Sequence, residues 1–153
     1  MKPAAARRDA RAASTADEYR LEEQAGHVMR RAHQRHAAIF QEGMGELQLT
    51  PTQFAALVKI RDVGQVSQNQ LGRLTAMDPA TIQGVIQRLD ERKLIERQAD
   101  PGDRRRTILR LSPQGAEILA QAILRARKIT DATLAPLDES ERRIFLALLH
   151  KLT

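Results

Sequence analysis

Apolar residues return every three or four positions through most of this chain, and the period shortens to two in only one stretch. Leu21, Ala25, Val28, Ala32 and Ile39 share one face with Met29, His36 and Phe40 beside them, which predicts a helix over about residues 16–42. Thr15 and Glu18 have capping-box spacing at its start, and Gly43 and Gly45 are expected to end it. At ~1.5 Å per residue such a helix is roughly 40 Å long, enough to reach a second subunit. Thr50-Pro51-Thr52-Gln53 opens a second helix carrying Phe54, Leu57, Val58 and Val63, stopped by Gly64. Ser67 through Gln70 repeats the capping pattern before a short helix with Leu71 and Leu74. Asp78-Pro79 opens the next, with Ile82, Val85, Ile86 and Leu89 on one stripe.

The period then changes. Ile95 to Ala99 and Arg104 to Leu111 read as two strands, with Asp100-Pro101-Gly102-Asp103 turning between them. Ser112-Pro113 caps a helix to about residue 133, and Asp138 through Glu141 caps a last one bearing Ile144, Phe145, Leu148, Leu149 and Leu152. The expected fold is mainly α with a small β-hairpin wing. Residues 1–13 (MKPAAARRDARAA) lack apolar periodicity and read as a flexible basic tail, either touching nucleic acid or merely solvated.

Composition narrows the class. With 153 residues the chain is expected to hold one domain over 14–153 beside that tail. Hydrophobic residues make up 42% but aromatics only 3%, so Leu, Ile, Val and Ala must fill the interior. The net charge of +6 suits a polyanionic partner and equally a protein that is merely soluble and basic, so where the charge sits must decide. There is no cysteine, which excludes disulfides, thiolate metal sites and thiol nucleophiles. No apolar run approaches the ~18 residues of a bilayer span, so a cytoplasmic protein with no membrane contact is expected. Neither a phosphate-binding glycine loop nor G-x-S-x-G nor H-E-x-x-H occurs, and neither catalysis nor a cofactor is expected.

The chemistry concentrates in the middle of the chain. Two short helices over 68–75 and 79–92, joined by a tight turn, make a helix-turn-helix candidate. The hairpin after them carries Arg104, Arg105, Arg106 and Arg110, and arginines on a protruding ribbon suit phosphates or a narrow minor groove. On the second helix, Ala80, Gly84, Gln87 and Glu91 point away from the apolar stripe, flanked by Thr81, Gln83 and Arg88. Gln pairs with adenine and Arg with guanine in the major groove, while Thr meets the thymine methyl. Gly84 costs about 0.8–1.0 kcal/mol in a helix relative to Ala, which close approach to another surface would justify.

The residues Asp78-Pro79-Ala80-Thr81, Arg88-Leu89, Leu94-Ile95-Glu96-Arg97, Asp103-Arg104-Arg105 and Leu111-Ser112-Pro113-Gln114-Gly115 resemble the multiple antibiotic resistance regulator (MarR) family. Asp103, Arg105, Leu111 and Gly115 fit the spacing of its wing signature, with Ser112 where threonine is usual. The resemblance implies a winged helix-turn-helix lobe over 50–112, with long N- and C-terminal dimerisation helices over 14–45 and 113–153. It implies a homodimer on double-stranded DNA, reading a pseudopalindromic operator with half-sites about one helical turn apart. Arg105 would reach DNA from the wing, oriented by a charge-assisted pair with Asp103. Thr81, Gln83, Gln87 and Arg88 would sit at the major groove.

Members of this family commonly release DNA on binding a small aromatic or anionic effector, and the likeness points to aromatic-acid or nicotinate-type catabolism. Met29, His33, His36 and Phe40 are candidates for such a site, offering apolar walls with polar tips, against the blander reading of core histidines. A metal site is not expected, because His27, His33 and His36 lack the i, i+4 pairing of helix-borne ligands. Two other readings stay open: a winged helix used for protein contacts, and a DNA-binding protein without sequence preference.

Overall fold

The computed structural model describes residues 19–103 and 105–153, and the chain divides after His36 into two units. The basic tail, the Thr15–Glu18 capping box, the expected helix start at residue 16 and Arg104 lie outside the described residues.

In the first unit the long helix is shorter than its pattern suggests. Leu21–Glu23 form a single 3-10 turn, Gln24 is extended (φ −82°, ψ 130°), and helix α1 begins only at Ala25 and runs to Met44. The Gln24 side-chain amide folds back to the Arg20 carbonyl at 2.9 Å, a local bond that competes with the helical ladder. At 20 residues, α1 spans roughly 30 Å. Leu21, Val28 and Met29 are about half exposed.

The second unit begins at Ala37, within α1. Gly43 does not end this helix. It lies inside the last turn, where a Cβ would come 2.5 Å from Ile129 Cγ1, so glycine is there for close approach of another helix. The end falls at Met44, after which Gly45 takes a left-handed backbone (φ +49°). A 3-10 turn, Gly45–Leu47, leads to helix α2 (Pro51–Val63). Both capping-box bonds of α2 are made: Gln53 N to Thr50 Oγ1 at 3.2 Å and Thr50 N to Gln53 Oε1 at 3.1 Å. Gly64 (φ +76°) closes α2 as expected.

Strand β1 (Val66–Ser67), helices α3 (Gln68–Leu74) and α4 (Pro79–Glu91), and strands β2 (Ile95–Ala99) and β3 (Thr107–Leu111) follow. The sheet is antiparallel in the order β1-β3-β2, with Ile95 opposite Leu111 and Val66 opposite Leu109. The hairpin is therefore a three-stranded sheet, and β3 starts at Thr107 rather than at residue 104. A two-residue strand is too short to show alternation, so β1 becomes visible only through its partner. Helices α5 (Pro113–Thr133) and α6 (Glu139–His150) complete the chain, both with Ser or Asp caps at the expected residues.

One core holds the second unit together. Leu57 and Ile60 of α2, Leu71 of α3, Ile82, Ile86 and Leu89 of α4, Leu109 of β3 and Leu119 of α5 are all at most 2% exposed. Each such side chain contributes about 1.5–3 kcal/mol over an exposed one. By contrast α6 buries none of its residues: Ile144 is 57%, Leu148 56% and Phe145 41% exposed.

The end of α4 is locked to the start of α5. Ser112 Oγ donates to the Lys93 carbonyl at 2.7 Å and accepts from Gly115 N at 2.9 Å, while Ser112 N donates to the Leu94 carbonyl at 3.1 Å. A Cβ on Gly115 would sit 1.9 Å from the Leu94 carbonyl oxygen, a backbone atom that cannot swing away. Gly115→Ala is therefore expected to destabilise the protein by about 3 kcal/mol or more, as severe overpacking does. A thermal melt within a degree or two of the wild type would contradict this packing.

Candidate nucleic-acid interface

Helix α3 and helix α4 meet through a turn of four residues, and each contact in it has a backbone reason. Thr75 Oγ1 donates to the Leu71 carbonyl at 2.7 Å, Met77 N donates to the Gly72 carbonyl at 2.9 Å, and Ala76 adopts φ +52°. Gly72 is buried with Met77 O only 3.3 Å from where its Cβ would be, so the two helices come together over it. Asp78 then caps α4. Its carboxylate accepts from Thr81 N at 2.9 Å and from Thr81 Oγ1 at 2.5 Å. The Thr81 hydroxyl first, and the Thr81 amide second, hold the Asp78 carboxyl below its ordinary range.

The outer face of α4 is as its pattern suggests. Ile82, Val85, Ile86 and Leu89 are buried, whereas Ala80, Thr81, Gln83, Gln87 and Arg88 are exposed. Gly84 lies on that outer side, and a Cβ there would meet nothing within 4 Å. Among the described residues nothing covers the surface above it. Two side chains are more constrained than their types alone suggest. The Thr81 hydroxyl hydrogen is committed to Asp78, leaving its methyl group and a lone pair to face outward. Gln87 donates one amide hydrogen to Glu91 Oε1 at 3.0 Å, which fixes its orientation. Its second hydrogen and its carbonyl oxygen remain, the pair that adenine recognition needs.

The wing is organised by two aspartates. Asp100 Oδ1 accepts from Gly102 N at 2.8 Å, and Asp103 Oδ1 accepts from Arg105 N at 3.0 Å. Backbone bonds between Asp100 N and Arg106 O (2.9 Å) and Arg106 N and Asp103 O (2.8 Å) close the loop. Asp103 thus shapes the backbone beneath Arg105 rather than pairing with its guanidinium, a correction to the charge-pair expectation. A carboxylate two residues before a turn amide accepts from it more readily than it reaches a long, solvated side chain. Arg105 and Arg106 project into solvent. Arg110, also placed on the wing by its sequence, is instead bound by Gln65 Oε1 through Nε at 3.2 Å and Nη2 at 2.5 Å, across the β1–β3 side of the sheet. Arg97 of β2 pairs with Asp90 of α4 at 2.8 Å, tying wing to helix.

The effector candidates are distributed differently from the sequence pattern. Met29 and His33 are exposed and His36 is half-buried, while Phe40 is 5% exposed with its ring edge-on to Phe54 at 6.0 Å. Phe40 also borders a cleft of ≈ 600 Å³ whose other walls include Gln41, Met44, Gln48 and Leu49. Met29, His33 and His36 are not among those walls. Among the described residues no cluster of three potential metal ligands occurs, and no helix is long and apolar enough to cross a membrane.

A strand, two helices in a tight turn and a returning β-ribbon, in the order β1-α3-α4-β2-β3, define a winged helix-turn-helix, the architecture of DNA-binding regulators that lay one helix in the major groove. The MarR family profile matches residues 47–106. Over 134 residues the chain is 44% identical to the HTH-type transcriptional repressor NicR of Pseudomonas putida, covering 88% of this chain and 85% of that one. The chain belongs to the MarR family of transcriptional regulators. A crystal structure of a probable transcriptional regulator from Pseudomonas aeruginosa superposes with a TM-score of 0.84 at 51% identity, covering 88% of this chain and all of that one. BpsR of Bordetella bronchiseptica, whose DNA binding is regulated by 6-hydroxynicotinic acid, superposes with a TM-score of 0.83 at 41% identity over 88% of this chain and 96% of its own.

Two predictions separate the roles of these residues. Gly84→Ala fills open space on a helix, so the protein should gain about 0.8–1.0 kcal/mol of stability while operator binding weakens. Stronger stability with unaltered binding would mean that Gly84 faces no groove. Asp78 has its carboxyl below the ordinary range when folded, so its stabilisation is present above that range and is lost as pH falls through it. Asp78→Asn should flatten the acid limb of a stability-against-pH curve, and an unchanged limb would deny the cap this part.

Proposed function

We propose that the chain is a repressor that binds a pseudopalindromic operator as a homodimer and is released by a small aromatic acid of the hydroxypyridine-carboxylate type. The observation that carries the reading is the outer face of α4, where Thr81, Gln83, Gly84, Gln87 and Arg88 offer hydrogen bonds and a smooth backbone but no large apolar group. A surface built to bind protein would carry apolar anchors there. Arg105 and Arg106 supply the charge that phosphates need. Arg104, and Asp103 through its bond to the Arg105 amide, complete the wing in this reading.

Dimerisation follows from what one chain leaves uncovered. Ile144, Phe145, Leu148 and Leu149 of α6, with Leu152 just beyond its end, are each between 36% and 72% exposed, more apolar surface than a monomer ordinarily leaves in water. The effector class is suggested by the likeness to NicR and to BpsR, the second of which answers to 6-hydroxynicotinic acid. In this chain Met29, His33 and His36 are the groups assigned to it, with the imidazoles meeting the carboxylate, while Phe40 is packed into the core. An effector releases DNA only by binding the release-prone arrangement more tightly.

The deciding experiment selects a duplex from random sequence with the purified protein and then measures binding against nonspecific competitor. Arg105→Ala should lower affinity for the selected duplex by about ten- to a hundredfold, corresponding to ~1–3 kcal/mol. Failure to prefer any duplex would leave only a nonspecific DNA binder. His33→Ala or His36→Ala should blunt release by 6-hydroxynicotinic acid with DNA affinity almost unaltered. A release curve identical to the wild type's would move the effector elsewhere.

A further inference from the structure

The segment between α1 and α2 turns twice through left-handed backbone, at Gly45 (φ +49°) and again at Gln48 (φ +47°), where a side chain makes that conformation uncommon. Leu47 and Leu49 anchor it in the core at 4% and 3% exposure. Such a bend leaves carbonyls that no helix can satisfy, and buried carbonyls without partners are costly. Here they are met from two directions. Arg125 of α5 donates to the Met44 carbonyl at 2.8 Å and pairs with Glu46. Gln48 N donates to the Gly45 carbonyl at 3.1 Å. Arg92, the residue after α4, donates from Nη2 to the Leu47 carbonyl at 2.8 Å and from Nη1 to the Gln48 carbonyl at 2.9 Å.

We infer that Arg92 is a positioning residue for operator binding: its two-pronged grip on the Leu47 and Gln48 carbonyls sets the angle of the recognition helix against the end of α1. The reading rests on operator binding as proposed above. Three features support it. Arg92 directly follows Glu91, which orients Gln87, so the grip lies at the end of the element that meets bases. A planar guanidinium giving two parallel bonds fixes direction as well as distance, which a single donor does not. Gly45, Gln48 and Leu49 also border the ≈ 600 Å³ cleft beside Phe40. Any displacement of this segment is therefore felt by the recognition helix through Arg92.

The test compares Arg92→Gln and Arg92→Lys with Ile118→Val, a control on α5 outside the grip that lowers stability by ordinary core loss. Binding to the selected duplex is measured well below each melting temperature. Amide hydrogen exchange is followed over residues 45–50 and 79–92. Arg92→Gln should weaken binding about tenfold and speed exchange over residues 45–50. Arg92→Lys, keeping one donor and the charge, should fall between. If Arg92→Gln does not fold, the lysine variant carries the comparison. Binding within twofold of the wild type, or a loss no larger than that of Ile118→Val, would reduce Arg92 to a stabilising cap. A wild-type chain that selects no duplex would overturn the operator reading; the exchange over residues 45–50 and 79–92 then decides the grip on its own.

Discussion

The first turn of α5 lies against the backbone of Leu94 so closely that a single methyl group would not fit between them. Both sides of the DNA-binding lobe depend on this contact. Leu94 follows directly from the recognition helix through Lys93, whose left-handed backbone (φ +58°) turns the chain into β2. Ser112 ends β3 and caps α5, so one hydroxyl joins the exit of the recognition helix, the return strand of the wing and the start of the next helix. Close packing without side-chain freedom at such a point transmits position with little slack. The helix and the wing are thereby held in one relation to each other.

The arginines divide by what they do. Arg92, Arg110, Arg125 and Arg142 spend their donors inside the chain, on carbonyls and on Gln65, where they hold turns that the backbone ladders leave unsatisfied. Arg88, Arg105 and Arg106 are exposed on the outer helix face and the wing. The net charge of +6 does not show this division, because a guanidinium holding a carbonyl and one exposed to solvent count alike. Arg92, Arg125 and Arg142 are half-buried and clamp backbone carbonyls, Arg110 is exposed and holds the Gln65 side chain, and a Lys exchange would cost each a hydrogen bond.

Much of the architecture is legible in the residue pattern because the signals are local. Caps at Thr50, Ser67, Asp78, Ser112 and Asp138 each satisfy an amide three residues on, and their geometry needs no distant partner. The stripe of Ile82, Val85, Ile86 and Leu89 likewise determines which face of α4 turns outward, and with it the candidate base-reading residues. Arg105, Arg106 and the turn aspartates fall on the wing where their spacing puts them, and the resemblance to a known family added the winged-helix class.

What the amino-acid order could not settle depends on pairs far apart in the chain. Gly43 looked like a helix end and is a helix crossing, because only the approach of Ile129, 86 positions later, shows why a side chain is excluded. β1 exists because β3 lies beside it, Arg110 is a strut because Gln65 is within reach, and Phe40 is core because Phe54 faces it. Periodicity reports the neighbours a residue has on its own element. Long-range packing assigns it a partner, and the free energy of that partnership decides which of its possible roles it keeps.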